Sequence, residues 1–168
     1  MLIEPPTAGD ARAVAQIHVD AWRAAYVGIV PDDYLASLSA DARETMWHEA
    51  IVAQQPELLV ARVEGSVVGW VSFGASRDDG AAASVGEVWA IYLDPGHVST
   101  GAGRALWLCA RERLIERGFA SAMLWVLTGN ARAIRFYERA GFTLDAGSAK
   151  SFKINGREIK EQRYSTPL

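Results

Sequence analysis

The chain has 168 residues, 50% hydrophobic and 22% charged, a composition typical of one globular domain over residues 1–168 and unlike that of disordered chains. Its formal net charge of -3 disfavours nucleic acid as a partner, and no apolar run approaches the ~18 residues of a membrane span. The single cysteine, Cys109, excludes an internal disulfide, and no basic and then apolar leader is visible, so we expect a cytoplasmic protein.

The first third of the chain is predicted to hold one strand and three helices. Residues 2–5 have the character of a short edge strand. Thr7 or Asp10 then caps a helix that continues to about Tyr26. Two shorter helices follow, and the second of them begins after Ser39.

The middle of the chain and its tail are rich in strand signals. Two β-rich runs flank Glu64-Gly65 and predict a hairpin, and "SVGEVWAIYLDP" predicts a third strand that Pro95 ends. The nearly continuous apolar run in "ASAMLWVLTG" is typical of a central strand buried on both faces. Asn155-Gly156 predicts a second hairpin, with a type I′ turn.

Two helices are predicted between these strands. The first covers residues 102–117 and ends at Gly118, and the second is capped by Asn130 and ends at Gly141. The resulting order is strand, helices, three strands, helix, strand, helix and strands. This order indicates an α/β (α+β) fold with a mixed sheet.

The segment "LDPGHVSTGAGRALW" places Gly101 and Gly103, both poor helix formers, where a helix begins. The first N–H groups of a helix have no partner within it, and glycine lets a ligand approach them, so we expect a phosphate site. No Gly-Lys-Ser/Thr follows, and Leu106 stands where a dinucleotide fingerprint needs its third glycine. A tight strand-to-helix turn with no ligand is the alternative interpretation.

A second motif, "NARAIRFYERAGF", lies at residues 130–142. Together the two segments resemble the acyl-CoA pyrophosphate loop and the Asn-x-x-Ala-x-x-Phe-Tyr-x-x-x-Gly-Phe helix of the GNAT superfamily of N-acetyltransferases. The resemblance covers about Gly86–Phe142 and is weaker in residues 1–60. It implies a GNAT-like twisted sheet, mixed and mostly antiparallel, of about seven strands flanked by about four helices.

The resemblance also implies acetyl-CoA as the acyl donor, with no metal. Backbone groups of the strand before Pro95 would pair with the pantetheine arm, as in β-augmentation, and the loop would hold the pyrophosphate. Three loop positions depart from the family pattern, Val98, Thr100 and His97, so we expect weaker binding of the donor. The implied donor-binding residues are Ile91, Leu93, Val98, Ser99, Thr100, Gly101, Ala102, Gly103, Arg104, Asn130, Ala133 and Phe136.

Two residues are candidates for proton transfer. Tyr137 matches the family tyrosine that faces the CoA sulfur and would protonate the departing thiolate; otherwise it is a core tyrosine on an apolar helical face. Glu87 is a charged residue in an apolar strand and would take the proton of the amine through a water. The alternative for Glu87 is a solvent-facing strand carboxylate.

Four aromatic residues are candidates for the acceptor site: Trp22, Tyr26, Trp89 and Trp125. Aromatic rings beside a carboxylate suit a cationic amine, although core packing is the better explanation for at least two of the four. Trp22 and Tyr26, four residues apart on one helix face, are the better candidates. His18, His48 and His97 show no metal-binding spacing. The expected partner is a small-molecule or peptide amine, and the C-terminal hairpin is a candidate surface for a homodimer.

These observations favour an acyl-CoA-dependent N-acyltransferase that moves an acetyl group to an amine by direct attack. A non-catalytic CoA-binding or sensor domain of the same fold is the alternative. A nucleotide-binding module unrelated to CoA leaves the motif at residues 130–142 unexplained.

Overall fold

The computed structural model describes residues 1–168 and contains one eight-stranded sheet with five α helices. The strands are β1 (Leu2–Glu4), β2 (Glu57–Val63), β3 (Ser66–Ala75), β4 (Val85–Leu93), β5 (Ser121–Leu127), β6 (Thr143–Leu144), β7 (Lys150–Ile154) and β8 (Arg157–Pro167). The helices are α1 (Ala11–Ala25), α2 (Asp32–Ser37), α3 (Ala40–Ala53), α4 (Ala102–Glu116) and α5 (Ala131–Arg139). The predicted mixed, mostly antiparallel architecture is confirmed: the five helices match the five predicted along the chain, one more than the resemblance implied, and the sheet has one strand more than expected.

The strand order is β1-β2-β3-β4-β5-β8-β6, and β7 also pairs with β8. Every pair is antiparallel except β4 with β5. Both predicted hairpins are present: φ is positive at Glu64 (50°) and Gly65 (84°), and again at Asn155 (46°) and Gly156 (81°). Two successive positive φ angles are what a type I′ turn requires.

The parallel pair β4 and β5 is short. Val85, Gly86 and Glu87 pair with residues 121–123, and no residue of β4 after Glu87 pairs with β5. On its other side β4 pairs with β3 as far as Leu93, with a bulge that leaves Trp89 without a partner. A bulge bends its strand and increases the local twist. The second half of β4 therefore has one edge that no strand of this chain covers.

Helices cover both faces of the sheet. One core cluster joins the sheet to α4, with α5 packed against it, and the other joins the sheet to α1, α2 and α3. Side chains alternate along a strand, so Ile91 and Leu93 pack against the α4 cluster while Ala90 and Tyr92 pack against the α1–α3 cluster. The uncovered half of β4 thus contributes side chains to both faces.

Ser39 Oγ accepts from the N–H of Ala42 (3.4 Å) at the start of α3, which confirms that predicted helix start. Asp10 directly precedes α1, but its side chain forms no capping hydrogen bond with that helix and instead accepts from the N–H of Thr7 at 2.7 Å. None of the helices combines the length and apolar composition that a membrane crossing needs.

Candidate active site

The loop between β4 and α4 presents a row of free backbone donors. No backbone N–H from Val98 to Arg104 donates to an acceptor within the chain; the first that does is Ala105, to the carbonyl of Gly101 at 3.0 Å. Gly101 caps α4 with φ 93° and without a side-chain hydrogen bond. Unpaired N–H groups at a helix start, where the helix dipole is positive, are suited to an anion such as a pyrophosphate.

The polar side chains of this loop form hydrogen bonds with other groups of the same loop. Asp94 Oδ1 accepts from the N–H of Gly96 at 2.9 Å and lies 3.1 Å from Nδ1 of His97. Thr100 Oγ1 donates to the carbonyl of His97 at 2.7 Å. His97 and Thr100, which depart from the family pattern, therefore hold the loop in shape. Arg104 is exposed at the same end of α4.

Gly101 and Gly103 suit their positions for different physical reasons. A Cβ at Gly101 would meet nothing within 4 Å, but the positive φ there favours glycine. A Cβ at Gly103 would lie 3.4 Å from Phe136 and 3.5 Å from Leu93, which is ordinary van der Waals contact. The chain's own packing therefore leaves room for a small side chain at Gly103. The same distances bring three predicted donor-binding residues together: Leu93, Gly103 and Phe136.

Helix α5 begins as the sequence indicated. Asn130 Oδ1 accepts from the N–H of Ala133 at 3.1 Å, which confirms Asn130 as the cap. Ala133 and Phe136 are half-buried against the α4 core cluster. Contacts of Asn130, Ala133 and Phe136 with an acyl donor remain predictions.

Tyr137 lies half-buried on α5, with its ring centroid 5.1 Å from that of Phe136 and 5.8 Å from that of Phe142. Burial raises the pKa of its hydroxyl well above the ordinary value of tyrosine, and the neighbouring Tyr92 raises it further. A phenol with a raised pKa keeps its proton at neutral pH, as a general acid must.

A third tyrosine, Tyr26, has a pKa that depends on Tyr92 and Tyr137. It is buried, and its pKa is raised by burial, then by Tyr92 and Tyr137. Burial likewise raises the pKa of Tyr92. Since Tyr92 influences both other hydroxyls, the three lie close to one another around the uncovered half of β4. The sequence proposed Tyr26 only as an acceptor contact and did not single out Tyr92.

Glu87 is only 1% exposed, so the alternative of a solvent-facing carboxylate is wrong. Its Oε2 accepts from the backbone N–H of Arg77 at 2.7 Å, and its Oε1 accepts from Nε of Arg77 at 3.1 Å and from Nη2 of the same guanidinium. The guanidinium also stacks 4.4 Å from the ring centroid of Trp89. The negative charge of Glu87 is therefore compensated by Arg77, and no local pattern in the sequence predicted this pair.

A cavity of about 600 Å³ lies between α1, α3 and the β3–β4 face. Trp22 and Trp89 line it, whereas Tyr26 and Trp125 do not. Trp125 instead donates to Asp78 at 2.9 Å, with Nζ of Lys150 3.5 Å from its ring centroid. The lining residues that sequence reasoning missed are His18, Arg43, Met46, Trp47, Glu49, Ala50, Ala53, Gln55, Pro56, Trp70, Ser72, Arg77, Ala90 and Tyr92.

His18 is the most constrained polar residue of this cavity. Its Nδ1 accepts from the indole N–H of Trp47 at 3.3 Å, and its ring stacks 5.4 Å from that of Tyr92. Burial lowers the pKa of His18 to about 3, and the positive charge of Arg43 acts in the same direction. Its position one helical turn before Trp22 is the signal in the sequence that could have identified it.

The family comparison covers most of the chain: the sequence model of the acetyltransferase (GNAT) family matches residues 14–142. Among curated relatives, the chain is 37% identical to an uncharacterised N-acetyltransferase, YuaI, of Bacillus subtilis, over 94% of this chain and 88% of that protein. It is 40% identical to a mycothiol acetyltransferase of Thermobispora bispora over 50% of this chain, and spans only 29% of that protein's length.

Solved structures agree on the fold. A ribosomal-protein-alanine N-acetyltransferase from Brucella melitensis is 23% identical and superposes with a TM-score of 0.78 over 100% of both chains. The YncA structure from Salmonella typhimurium, described as a putative acetyltransferase with its cofactor acetyl-CoA, is 24% identical, with a TM-score of 0.76 over 99% of this chain and 93% of that one.

Proposed function

Because this chain belongs to the acetyltransferase (GNAT) family, its reaction is acyl transfer from an acyl-CoA to an amine, and we propose that acetyl-CoA is attacked directly by the amine of a small molecule or peptide. The observation that carries this proposal is the continuous run of unpaired N–H groups from Val98 to Arg104, next to a strand edge that β5 leaves free. Residues 1–168 would form one catalytic domain around the single sheet.

The acyl donor would bind along the face that carries α4 and α5. Its pyrophosphate would meet the free N–H groups of the loop and Arg104, which supply a positive potential without a lysine. Its pantetheine arm would pair with the backbone of Ile91 and Leu93, at the edge that has no partner strand. One free N–H of this edge would then stabilise the developing oxyanion.

The amine would approach from the opposite face, through the cavity lined by Trp22 and Trp89. In the transfer step the amine nitrogen forms a bond to the acyl carbon and the carbon–sulfur bond breaks. The departing thiolate takes a proton from Tyr137, whose raised pKa keeps that proton available at neutral pH.

The proton of the amine would leave through Glu87. A carboxylate has about four lone-pair sites, and Arg77 occupies three of those on Glu87. One site is left for a water between Glu87 and the amine, so proton removal would follow a single defined route. Without such a water, Glu87 would be a positioning residue that holds Arg77 over Trp89.

Two further properties belong to the proposal. A reducing, cytoplasmic location fits the single, half-buried Cys109. Burial raises the pKa of its thiol, which makes it a poor nucleophile.

A homodimer would use the C-terminal hairpin, in which β7 pairs only with β8 and Phe152 is exposed. Light scattering on the eluting protein would measure the mass in solution.

The proposal is tested by titrating the protein with acetyl-CoA in a calorimeter, in parallel with Gly103→Glu. The glutamate adds a side chain and a negative charge beside Leu93 and Phe136, two of the residues proposed to hold the donor, so binding should be lost in the variant and present in the wild type. CoA thiol release with a panel of amines then separates an enzyme from a sensor. Binding without turnover of any amine would favour the sensor, and absence of binding would overturn the proposed function.

A further inference from the structure

The cavity on the α1/α3 face presents more hydrogen-bond donors than acceptors. Trp22 Nε1 is buried and forms no hydrogen bond of normal geometry, although its N–H is near enough to the hydroxyl of Tyr92 to lower the pKa of that group. Ser72 also lines the cavity, at 2% exposure. A buried donor without an acceptor is costly, so such groups are commonly satisfied by a bound molecule.

His18 contributes another donor. An indole N–H can only donate, so Nδ1 of His18, which accepts from Trp47, carries no proton. With a pKa of about 3, the ring is neutral at pH 7, and its proton therefore lies on Nε2. Nε2 has no partner within the chain, which leaves a neutral N–H in the wall of the cavity.

Arg43 supplies positive charge without a counterion. The two acidic residues nearest to it on α3, Asp41 and Glu44, are both bound by Arg12. Arg43 itself is half-buried, lines the cavity and forms no ion pair. Arg43, His18 and Tyr92 line the same cavity, and the charge of Arg43 acts to lower the pKa of the other two.

The other charges that line the cavity do not offset Arg43. Arg77 is a second cation, already paired with Glu87, and Glu49 is the one acidic residue in the lining and is exposed. The cavity therefore lacks the buried free carboxylate that recognition of a cation would require. This differs from the expectation, drawn from the sequence, of aromatic rings beside a free carboxylate.

We propose that the acceptor carries a carboxylate, which binds Arg43 with the N–H groups of His18 and Trp22 as further donors. The inference rests on the proposed function and specifies its substrate class: an amino-acid-like amine with an apolar or aromatic body. That body would pack on the indole rings of Trp22, Trp47 and Trp89. Tyr92 lines the same cavity and neighbours Tyr137, so the amine end would point toward the acyl group.

The test compares amines that differ only in the carboxylate. CoA thiol release is measured with phenylalanine against phenylalaninamide, and with 4-(aminomethyl)benzoate against benzylamine. We expect at least one carboxylate to exceed its neutral partner in kcat/KM by about tenfold or more, the worth of a charge-assisted hydrogen bond. Equal rates within both pairs, or faster neutral amines, would overturn the inference while leaving the proposed function intact.

Variants of Arg43 test whether the preference for an amine that carries a carboxylate depends on this residue. Arg43→Gln should raise KM for the carboxylate about 10- to 100-fold with little change in kcat, and should raise KM for the neutral amine far less. Arg43→Lys should restore part of the affinity, because it keeps the charge and loses the planar fork. Arg111→Gln is the matched control, since Arg111 is half-buried on α4, against the other face of the sheet, and does not line the cavity. An unchanged KM in Arg43→Gln would refute the assignment.

Binding is also measured without catalysis. Tryptophan fluorescence is titrated with N-acetylphenylalanine and with its amide, which resemble the expected product and its neutral analogue. Preferential quenching by the acid, lost in Arg43→Gln, would support the carboxylate site even in a protein that turned over no amine. Acetyl-CoA binding together with equal quenching by both compounds would overturn the inference alone.

Discussion

Trp47 donates its indole N–H to Nδ1 of His18 across 3.3 Å, and this contact determines which nitrogen of the histidine carries the proton. Protonation of the ring would put a hydrogen on Nδ1, where it would face the hydrogen of the indole. The contact therefore acts with burial to keep His18 neutral. It joins α1 to α3 beneath the cavity, so the charge state of His18 affects both stability and the proposed acceptor site.

The first prediction concerns stability against pH. The pKa of His18 is about 3 in the folded protein and near 6.5 when unfolded, so the unfolded chain binds the extra proton. This contribution is complete above pH 6.5 and is lost as the pH falls toward 3. Between pH 6 and pH 4, the free energy of unfolding of the wild type should fall about 1.4 kcal/mol per pH unit more steeply than that of His18→Asn.

Urea denaturation at pH 7, 6, 5 and 4 measures this difference. Asn is a suitable replacement because its Oδ1 can accept from Trp47 in place of Nδ1, while the side chain does not titrate. The matched control is His48→Asn, at an exposed position of α3, which should keep the slope of the wild type. Identical slopes for wild type and His18→Asn would contradict the assignment of a neutral, buried His18.

The second prediction separates the two roles of Glu87. If Glu87 takes the proton of the amine, Glu87→Gln should lower kcat about 100-fold or more. If Glu87 only holds Arg77 in place, the same substitution should lower the free energy of unfolding and leave kcat close to that of the wild type. Steady-state kinetics with acetyl-CoA saturating, together with urea denaturation, distinguishes these outcomes.

The third prediction follows from the same ion pair. Arg77→Gln leaves the buried carboxylate of Glu87 with fewer donors, so we expect a loss of about 1–3 kcal/mol in the free energy of unfolding. Arg113→Gln removes an arginine whose partner, Glu116, is itself exposed, and should change stability by less than about 0.5 kcal/mol. Equal effects of the two substitutions in urea would argue against a stabilising Arg77–Glu87 pair.

The fourth prediction tests Tyr137 as the acid. Tyr137→Phe should lower kcat about 100-fold or more and leave the Kd for acetyl-CoA unchanged, because only the proton donor is removed. Tyr164→Phe alters another buried tyrosine, on β8, and should keep kcat. Since burial raises the pKa of Tyr137, its ionisation should not reduce the rate below about pH 10. Undiminished turnover in Tyr137→Phe would favour the core-tyrosine interpretation.

The fifth prediction uses two glycines with matched backbones. Gly101 has φ 93° and Gly118 has φ 85°, and both would place a Cβ in open space. Alanine at either position should cost about 1–2 kcal/mol of stability through the left-handed backbone. Only Gly101→Ala should also weaken acetyl-CoA binding, because only Gly101 shapes the loop of free N–H groups. Calorimetry and urea denaturation together measure the two effects, and equal Kd values would contradict the loop assignment.

Features that depend on neighbouring residues could be predicted from the sequence. The caps at Ser39 and Asn130 follow from a side chain and an N–H three residues later, and both are present. The two hairpins follow from the turn residues at Glu64-Gly65 and Asn155-Gly156. The loop of free N–H groups from Val98 to Arg104 was recognisable for the same reason, since the first N–H groups of a helix have no partner within it whatever the rest of the chain does.

The acceptor side could not be predicted in this way, because its residues lie far apart in the chain. The sequence indicated aromatic residues and a strand carboxylate, but nothing local indicated that Arg77, in the loop after β3, would neutralise Glu87. Nor did it indicate that Arg43 and His18, on different helices, would face one cavity.

By itself, therefore, the sequence determined the family and the order of the elements, and it predicted a site for the acyl donor, because all three rest on local backbone chemistry. The tertiary structure alone decided which charges are compensated and which remain free. That outcome depends on how α1 and α3 pack on the sheet, and on the end of β4–β5 pairing after Glu87.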